Sequence, residues 1–280
     1  MKLANVSGRL TLVGDDGGID VDTASAGRFG PDPQAIYEHW QAFREWAEDL
    51  PSQAGTIIGD RDLGPPSPRP AQVFGIGMNY RDHAAETGLA LPASPAAFTK
   101  FPSCLTAPFA DVVLPSEAVD WEVELVVVMG VRAYRVSPSE AWNHVAGVTV
   151  GQDLSERLVQ FASGGQFSLG KSFPGFGPTG PWLVTPDELR DPDDLELGCS
   201  VDGCEVQKSR TSQLVFGVAE LIVQLSAVLP LLPGDLIFTG TPAGIGATRQ
   251  PPQFLRPGQV LTSYIEGVGT MANRLIAPPA

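Results

Sequence analysis

Three cysteines, Cys104, Cys199 and Cys204, are all that the 280 residues contain. That is too few for a disulfide framework, so reduced thiols in a cytoplasmic protein are the default expectation. Cys199 and Cys204 flank an Asp202-Gly203 turn and could face each other across a hairpin. Basic residues are also scarce: 18 Lys and Arg stand against 32 Asp and Glu, a formal net charge of −14. This argues against nucleic acid as a partner, because neutralising phosphates needs clustered positive charge. No apolar run is long enough to span a bilayer, which excludes a membrane protein of the helical kind. The opening MKLANVSGRLTLV is broken by Asn5, Ser7 and Arg9 and does not read as a secretion signal. Only three histidines occur, and none stands four residues from His83, which disfavours a zinc hydrolase.

What remains is an ordinary globular composition, 43% hydrophobic and 18% charged, long enough to bury a proper core. Residues 1–22 alternate short β-type runs with an Asp-Gly-Gly turn. Residues 33–50 place Ile36, Trp40, Phe43, Trp46 and Ala47 at helical spacing. Pro65, Pro66, Pro68 and Pro70 then mark a linker, dividing a small N-terminal domain (1–70) from the main domain (71–280). Beyond it, β-type runs dominate at 72–77, 111–114, 121–129, 145–152, 181–184, 195–201, 235–239 and 259–265. Helices are expected only near 80–88, 137–144 and 213–229. Many strands with few crossover helices predict an α+β, β-rich fold with mixed or antiparallel sheets folded on themselves.

The chemistry concentrates in five places. Asp120-Trp121-Glu122-Val123-Glu124 runs straight into the apolar stretch Leu125–Met129. Alternate residues of a strand share a face, so Glu122 and Glu124 should project together with Asp120 beside them. Carboxylates that close repel unless one is protonated or a cation neutralises them, which points to a hard divalent metal, Mg²⁺ or Mn²⁺. Asp153 follows the strand-like run 148–151 and suits a third ligand, although an isolated Asp there would more often cap a helix.

His83 and Glu86, three apart on the short helix expected near 80–88, can pair as a general base with its orienting carboxylate. Asn79 is the expected N-cap of that helix and Gly88 its stop. Arg157 and Gln160 would share one side of a helix that begins after Asp153. Lys171 lies in a Gly/Pro-rich loop otherwise nearly devoid of charge, which makes a positioned cation the more interesting reading. The stretch 233–246 is a turn, a strand and a glycine-rich loop. It lacks the Gly-Lys-Ser/Thr ending of a P-loop, but its N–H groups could serve a carboxylate.

Five motifs in order, GIGMNYRDHAAE, DWEVEL, GQDLSER, GKSFPGFGPTGP and GDLIFTGTPAGIG, resemble the fumarylacetoacetate hydrolase family, in particular its acylpyruvate-hydrolase-like branch. The resemblance covers about residues 72–275. It implies a mixed β-sandwich roll preceded by a small N-terminal domain, usually in a homodimer. It also implies Mg²⁺ or Mn²⁺ on Glu122, Glu124 and Asp153, and a water-activating dyad of His83 and Glu86 on a lid helix. Lys171 would stabilise the developing oxyanion, while Tyr80, Arg157, Gln160 and Thr241 would contact substrate. One departure is Pro174, where the family often has aspartate after the phenylalanine of the lysine loop.

The expected substrate is a small 2-oxo or 2,4-diketo acid, and the expected reaction hydrolysis of a C–C bond in an acylpyruvate. Decarboxylation of an oxaloacetate-type acid and keto–enol isomerisation need the same enolate and remain alternatives. So does a non-catalytic metal- or ligand-binding protein, although the full set of acidic, His, Glu and Lys residues speaks against lost turnover.

Overall fold

The protein is described from a computed structural model covering residues 1–50, 55–88, 90–162 and 164–279. Its organising element is the strand Val123–Met129, buried along its whole length. It pairs antiparallel with Val145–Gln152 on one side and with Leu236–Phe238 on the other. Because β side chains alternate, this strand feeds two separate cores. Val123, Leu125, Val127 and Met129 enter one with Leu197, Leu261 and Met271. Val126 and Val128 enter the other with Trp40, Phe43, Leu183 and Phe238. Glu122 and Glu124 fall on the second face, at the end where its apolar filling stops.

The main sheet runs, in spatial order, Gly17–Asp20, Arg9–Gly14, Lys2–Val6, Gly177–Val184, Val145–Gln152, Val123–Met129, Leu236–Phe238, Val73–Gly77 and Ala96–Thr99. All these pairs are antiparallel except Leu236–Phe238 with Val73–Gly77. A second sheet of five strands, Cys204–Arg210, Glu196–Val201, Val260–Ile265, Gly269–Ile276 and Val112–Val113, covers the first core. Two sheets face to face with few helices make the β-rich α+β sandwich expected.

The first seventy residues are stitched to the rest by backbone hydrogen bonds. Lys2–Val6 pairs antiparallel with Gly177–Val184 through Lys2↔Val184 and Leu3↔Leu183. The amphipathic segment becomes a 3₁₀ turn, Ala35–His39, followed by the helix Trp40–Glu48. Its aromatic stripe packs in chain order, with Tyr37 and Trp40 centroids 5.9 Å apart and Phe43 meeting Phe29 edge-on at 5.5 Å. The other helices of the described residues are short: Val21–Ala24, Arg81–Thr87, Arg157–Ala162 and Val218–Val228. The helix expected near 137–144 is only a 3₁₀ turn, Ala141–His144. Among the described residues no helix is long and apolar enough to cross a membrane. Cys199 stands opposite Gln207 and Cys204 opposite Val201, so the two cysteines do not face each other across the hairpin. All three thiols are free.

Candidate active site

The acidic residues converge because of strand register. Val123 pairs with Gln152, and one step further the Asp153 N–H donates to the Glu122 carbonyl at 2.9 Å. Asp153 is therefore the cross-strand neighbour of Glu122, and Glu124 projects two residues along on the same face. Glu122, Glu124 and Asp153 each offer a carboxylate oxygen within 4.8 Å of the others, and all three are buried.

Such a cluster needs cations, and two lysines and an arginine supply them. Lys171 Nζ lies 2.6 Å from both Glu122 Oε2 and Asp153 Oδ2. Arg157 reaches Glu122 at 2.7 Å and Asp120 Oδ2 at 2.6 and 2.9 Å. Lys100, with no exposure at all, donates to Asp153 Oδ1 at 2.6 Å and to the carbonyls of Lys171 and Phe176. Three cations thus face four carboxylates. Burial raises the cost of charge on Glu122, but Lys171 and Arg157 outweigh it and hold that carboxyl down at about 2. Among the described residues, Glu124 has no cation in contact. Burial first, then the charges of Asp153 and Glu122, push it well above the ordinary carboxylate range. A trio of hard oxygen donors, one of them lacking a cationic partner among the described residues, fits a divalent cation.

Asp120 does not join the trio, although the sequence sets it beside Glu122. Its oxygens accept from Arg157, from the Gly246 N–H at 2.7 Å and from the Ala247 N–H at 2.9 Å. The glycine-rich loop serves two further carboxylates. The Gly240 N–H donates to Glu124 Oε2 at 2.8 Å, and the Gly244 N–H to Glu86 Oε1 at 3.1 Å. Gly240 is at φ +105 with Asn79 Cβ 2.8 Å from where its own Cβ would lie, so only glycine fits. Four N–H groups between Gly240 and Ala247 therefore orient three acidic side chains.

His83 Nδ1 lies 3.0 Å from Glu86 Oε2, and the Thr248 hydroxyl holds the other Glu86 oxygen at 2.9 Å. The dyad is thus formed, on the helix Arg81–Thr87, which ends at Gly88 with φ +67. Asn79 does not cap that helix. It bridges Phe216 and Thr239 instead, accepting from the Phe216 N–H at 2.9 Å and donating to the Thr239 carbonyl at 2.7 Å.

A cavity of about 410 Å³ opens over these groups. His83, Glu122, Arg157, Gln160, Lys171 and Thr241 form its polar floor and sides. Gln160 accepts from Arg157 Nη1 at 2.8 Å, and Thr241 donates to the Val123 carbonyl at 3.0 Å. Tyr80 is the exception among the expected substrate contacts. It is fully buried in the first core, absent from the cavity wall, and its hydroxyl finds no hydrogen-bond partner. Burial, then the charges of Glu124 and Asp82, push that hydroxyl well above its ordinary range, so it stays neutral.

Sequence reasoning missed Lys100 and understated Asp120. Lys100 had a signal: it is the one charged residue between Glu86 and Asp111. The same argument had drawn attention to Lys171.

A buried carboxylate trio, a His-Glu pair and a lysine at the end of a mixed β-sandwich define a metal-site enzyme of the fumarylacetoacetate hydrolase type. The chain belongs to that family: the family model "Fumarylacetoacetate (FAA) hydrolase C-terminal" matches residues 72–276. Among curated relatives, the mitochondrial oxaloacetate tautomerase FAHD2A of Bos taurus is 44% identical over 214 residues, 75% of this chain and 68% of that protein. A Mycobacterium smegmatis protein provisionally described as HpcE has a crystal structure that matches with TM-score 0.95 at 54% identity, covering 100% of both chains. The maleylpyruvate hydrolase of Sphingobium sp. SYK-6, solved with manganese(II) and pyruvate, matches with TM-score 0.82 at 27% identity, again over 100% of both chains.

Proposed function

We propose that this protein hydrolyses a C–C bond in an acylpyruvate or related 2,4-diketo acid. The observation that carries the reading is the His83–Glu86 pair, at 3.0 Å, whose imidazole lines the same cavity as Lys171 and Glu122, the member of the carboxylate trio that reaches the cavity wall. Glu122, Glu124 and Asp153 would hold Mg²⁺ or Mn²⁺, which supplies Lewis acidity for the adjacent oxygens of a 2-oxo acid. The manganese and pyruvate bound by the maleylpyruvate hydrolase support a divalent metal and a 2-oxo acid as ligands of this fold.

The residues then divide the work. Glu86 holds the imidazole through Nδ1, and His83 takes a proton from water. The hydroxide adds to the distal carbonyl carbon, and Lys171 sets a fixed positive charge near the developing oxyanion. The C–C bond breaks, its electron pair passes to the enolate of the 2-oxo acid, and the acyl group leaves as a carboxylic acid. Protonation of the enolate by the imidazolium closes the cycle and restores neutral His83. Arg157, Gln160 and Thr241 orient the substrate.

Relatives named as oxaloacetate tautomerases favour a second reading, in which His83 moves a proton between carbon and oxygen of a 2-oxo acid without adding water. Purified protein with Mn²⁺ is assayed on acetylpyruvate and on enol-oxaloacetate. Formation of acetate and pyruvate supports hydrolysis. Faster loss of the enol absorbance of oxaloacetate, with acetylpyruvate left intact, replaces it with tautomerisation. Oxaloacetate-type decarboxylation would instead release CO₂ from the same samples. Three free thiols fit the cytoplasm. Exposed Leu158 and Leu169 fit a surface covered in a homodimer.

A further inference from the structure

The cavity carries apolar side chains beside its polar groups, and the two meet at Phe98, whose ring centroid lies 5.2 Å from Lys171 Nζ. Phe98 borders the lysine, and Phe161, Phe167, Ile76 and Ile245 add further apolar lining. The three rings form an edge-to-face chain, with centroids 5.9 Å apart for Phe98–Phe167 and 6.0 Å for Phe161–Phe167. Phe161 is 59% exposed, an unfavourable placement for a phenyl ring unless something covers it. Among the described residues, the wall's cationic side chains are Lys171 and Arg157. Each is already committed: Lys171 to Glu122 and Asp153, Arg157 to Asp120, Glu122 and Gln160.

A substrate with a second carboxylate would have to desolvate it against Phe167 and Phe161, and the one lysine beside the rings among the described residues, Lys171 over Phe98, is already bonded to Glu122 and Asp153. Size points the same way. About 410 Å³ is the space of roughly fourteen waters at ~30 Å³ each, so a four-carbon diacid would leave the aromatic lining uncovered.

Resting on the reading that a 2-oxo acid head binds at the acidic trio, we infer that the phenyl-lined part of the cavity is a subsite for an uncharged, apolar acyl tail. The substrate is then a monoanion with an aliphatic or aryl acyl group, unlike the dicarboxylates handled by oxaloacetate tautomerase and maleylpyruvate hydrolase. The tail lies along Phe98 and Phe167, and Phe161 closes over it.

The test measures binding, so that it does not depend on which reaction follows. Mn²⁺-loaded protein is titrated calorimetrically with pyruvate, 2-oxobutanoate, 2-oxohexanoate and 2-oxooctanoate, and with 2-oxoadipate as the six-carbon chain ending in carboxylate. The dissociation constant should fall roughly three- to fourfold per added methylene. 2-Oxoadipate should bind at least about tenfold more weakly than 2-oxohexanoate. Phe161→Ala, a change at the surface that leaves both cores intact, should shrink the gain per methylene. Phe167→Arg should reverse the order of 2-oxohexanoate and 2-oxoadipate. If pyruvate binds but the alkyl series is flat, or the diacid binds tighter to the unmodified protein, the tail subsite is wrong and the head-group reading survives. If no member of the series binds, including pyruvate, the head-group reading fails and the subsite with it.

Discussion

Lys100 Nζ donates to Asp153 Oδ1 at 2.6 Å, and neither side chain is exposed beyond 1%. A lysine without water can keep its charge only where carboxylate and carbonyl oxygens replace its hydration, as Asp153, Lys171 and Phe176 do here. It also fixes the backbone at Lys171, so one buried amine positions both a proposed metal ligand and the proposed oxyanion partner.

Truncating that amine should be costly. Lys100→Met leaves Asp153 with one cation instead of two and takes the amine from the Lys171 carbonyl, while the Phe176 carbonyl keeps the Leu154 N–H, a loss of about 3–5 kcal/mol by the usual size of a broken buried pair. Urea unfolding of the metal-free protein measures it. A loss below about 1 kcal/mol would show that the cluster repacks around the gap.

Glu124 predicts a pH dependence with a definite sign. Its carboxyl is held above the ordinary value of 4.5 by burial and by Asp153 and Glu122. A raised folded-state value means that the native protein binds this proton more tightly than the unfolded chain does. Its contribution is fully present below about pH 4.5 and is lost as pH rises above it. Glu122, held down at about 2, titrates below this window and does not contribute to the slope. The Tm of chelator-treated protein should therefore fall between about pH 5 and pH 8, and Glu124→Gln should flatten the fall. Mn²⁺ should restore more stability at pH 8 than at pH 5. Equal restoration at both would mean that no proton leaves on metal binding.

Removing the metal should abolish activity without unfolding the protein. Lys171 already satisfies Glu122 and Asp153 at 2.6 Å each, so the cation-free cluster is not left bare. Dialysis against chelator, followed by circular dichroism and assay, should give a native spectrum, no turnover, and recovery on adding Mg²⁺ or Mn²⁺. A spectrum that collapses on chelation would make the metal structural.

His83 and Glu86 should separate from metal binding. His83→Ala should cut hydrolysis about 10²–10⁴-fold with the Mn²⁺ affinity unchanged, the size expected of a general base. Glu86→Gln should lose less, since Thr248 and the Gly244 N–H still hold the side chain that faces the imidazole. Near-normal turnover in His83→Ala would assign water activation to another group.

The sandwich was legible wherever apolar residues or turn residues punctuated the chain. The strands Val145–Gln152 and Val260–Ile265 lie within a residue of where β-type runs place them. Cys204–Arg210 escaped because it is an edge strand, mostly solvent-facing, whose sequence CEVQKSR lacks the alternation that a half-buried strand displays. Ala96–Thr99 is an edge of the main sheet too, and its small residues carry little pattern.

At the site, Glu122, Glu124, Asp153, His83 and Glu86 could be read because their charge is out of place or their spacing is local. Tyr80 could not be placed, since its motif says nothing about which way the ring turns. Asp120 looked like a third member of the acidic stripe. Only the approach of Arg157 and of the Gly246 and Ala247 amides, from far along the chain, gives it a different task.

The seven residues from Gly240 to Gly246 touch Glu124, Glu86 and Asp120 through main-chain amides alone. Amides cannot be deleted by exchanging a side chain, so this stretch acts as a fixed ruler against which cradle, base and guanidinium partner are jointly set. A backbone displacement there would move all three together. Single substitutions in that stretch should therefore impair the protein as a unit instead of tuning any one step.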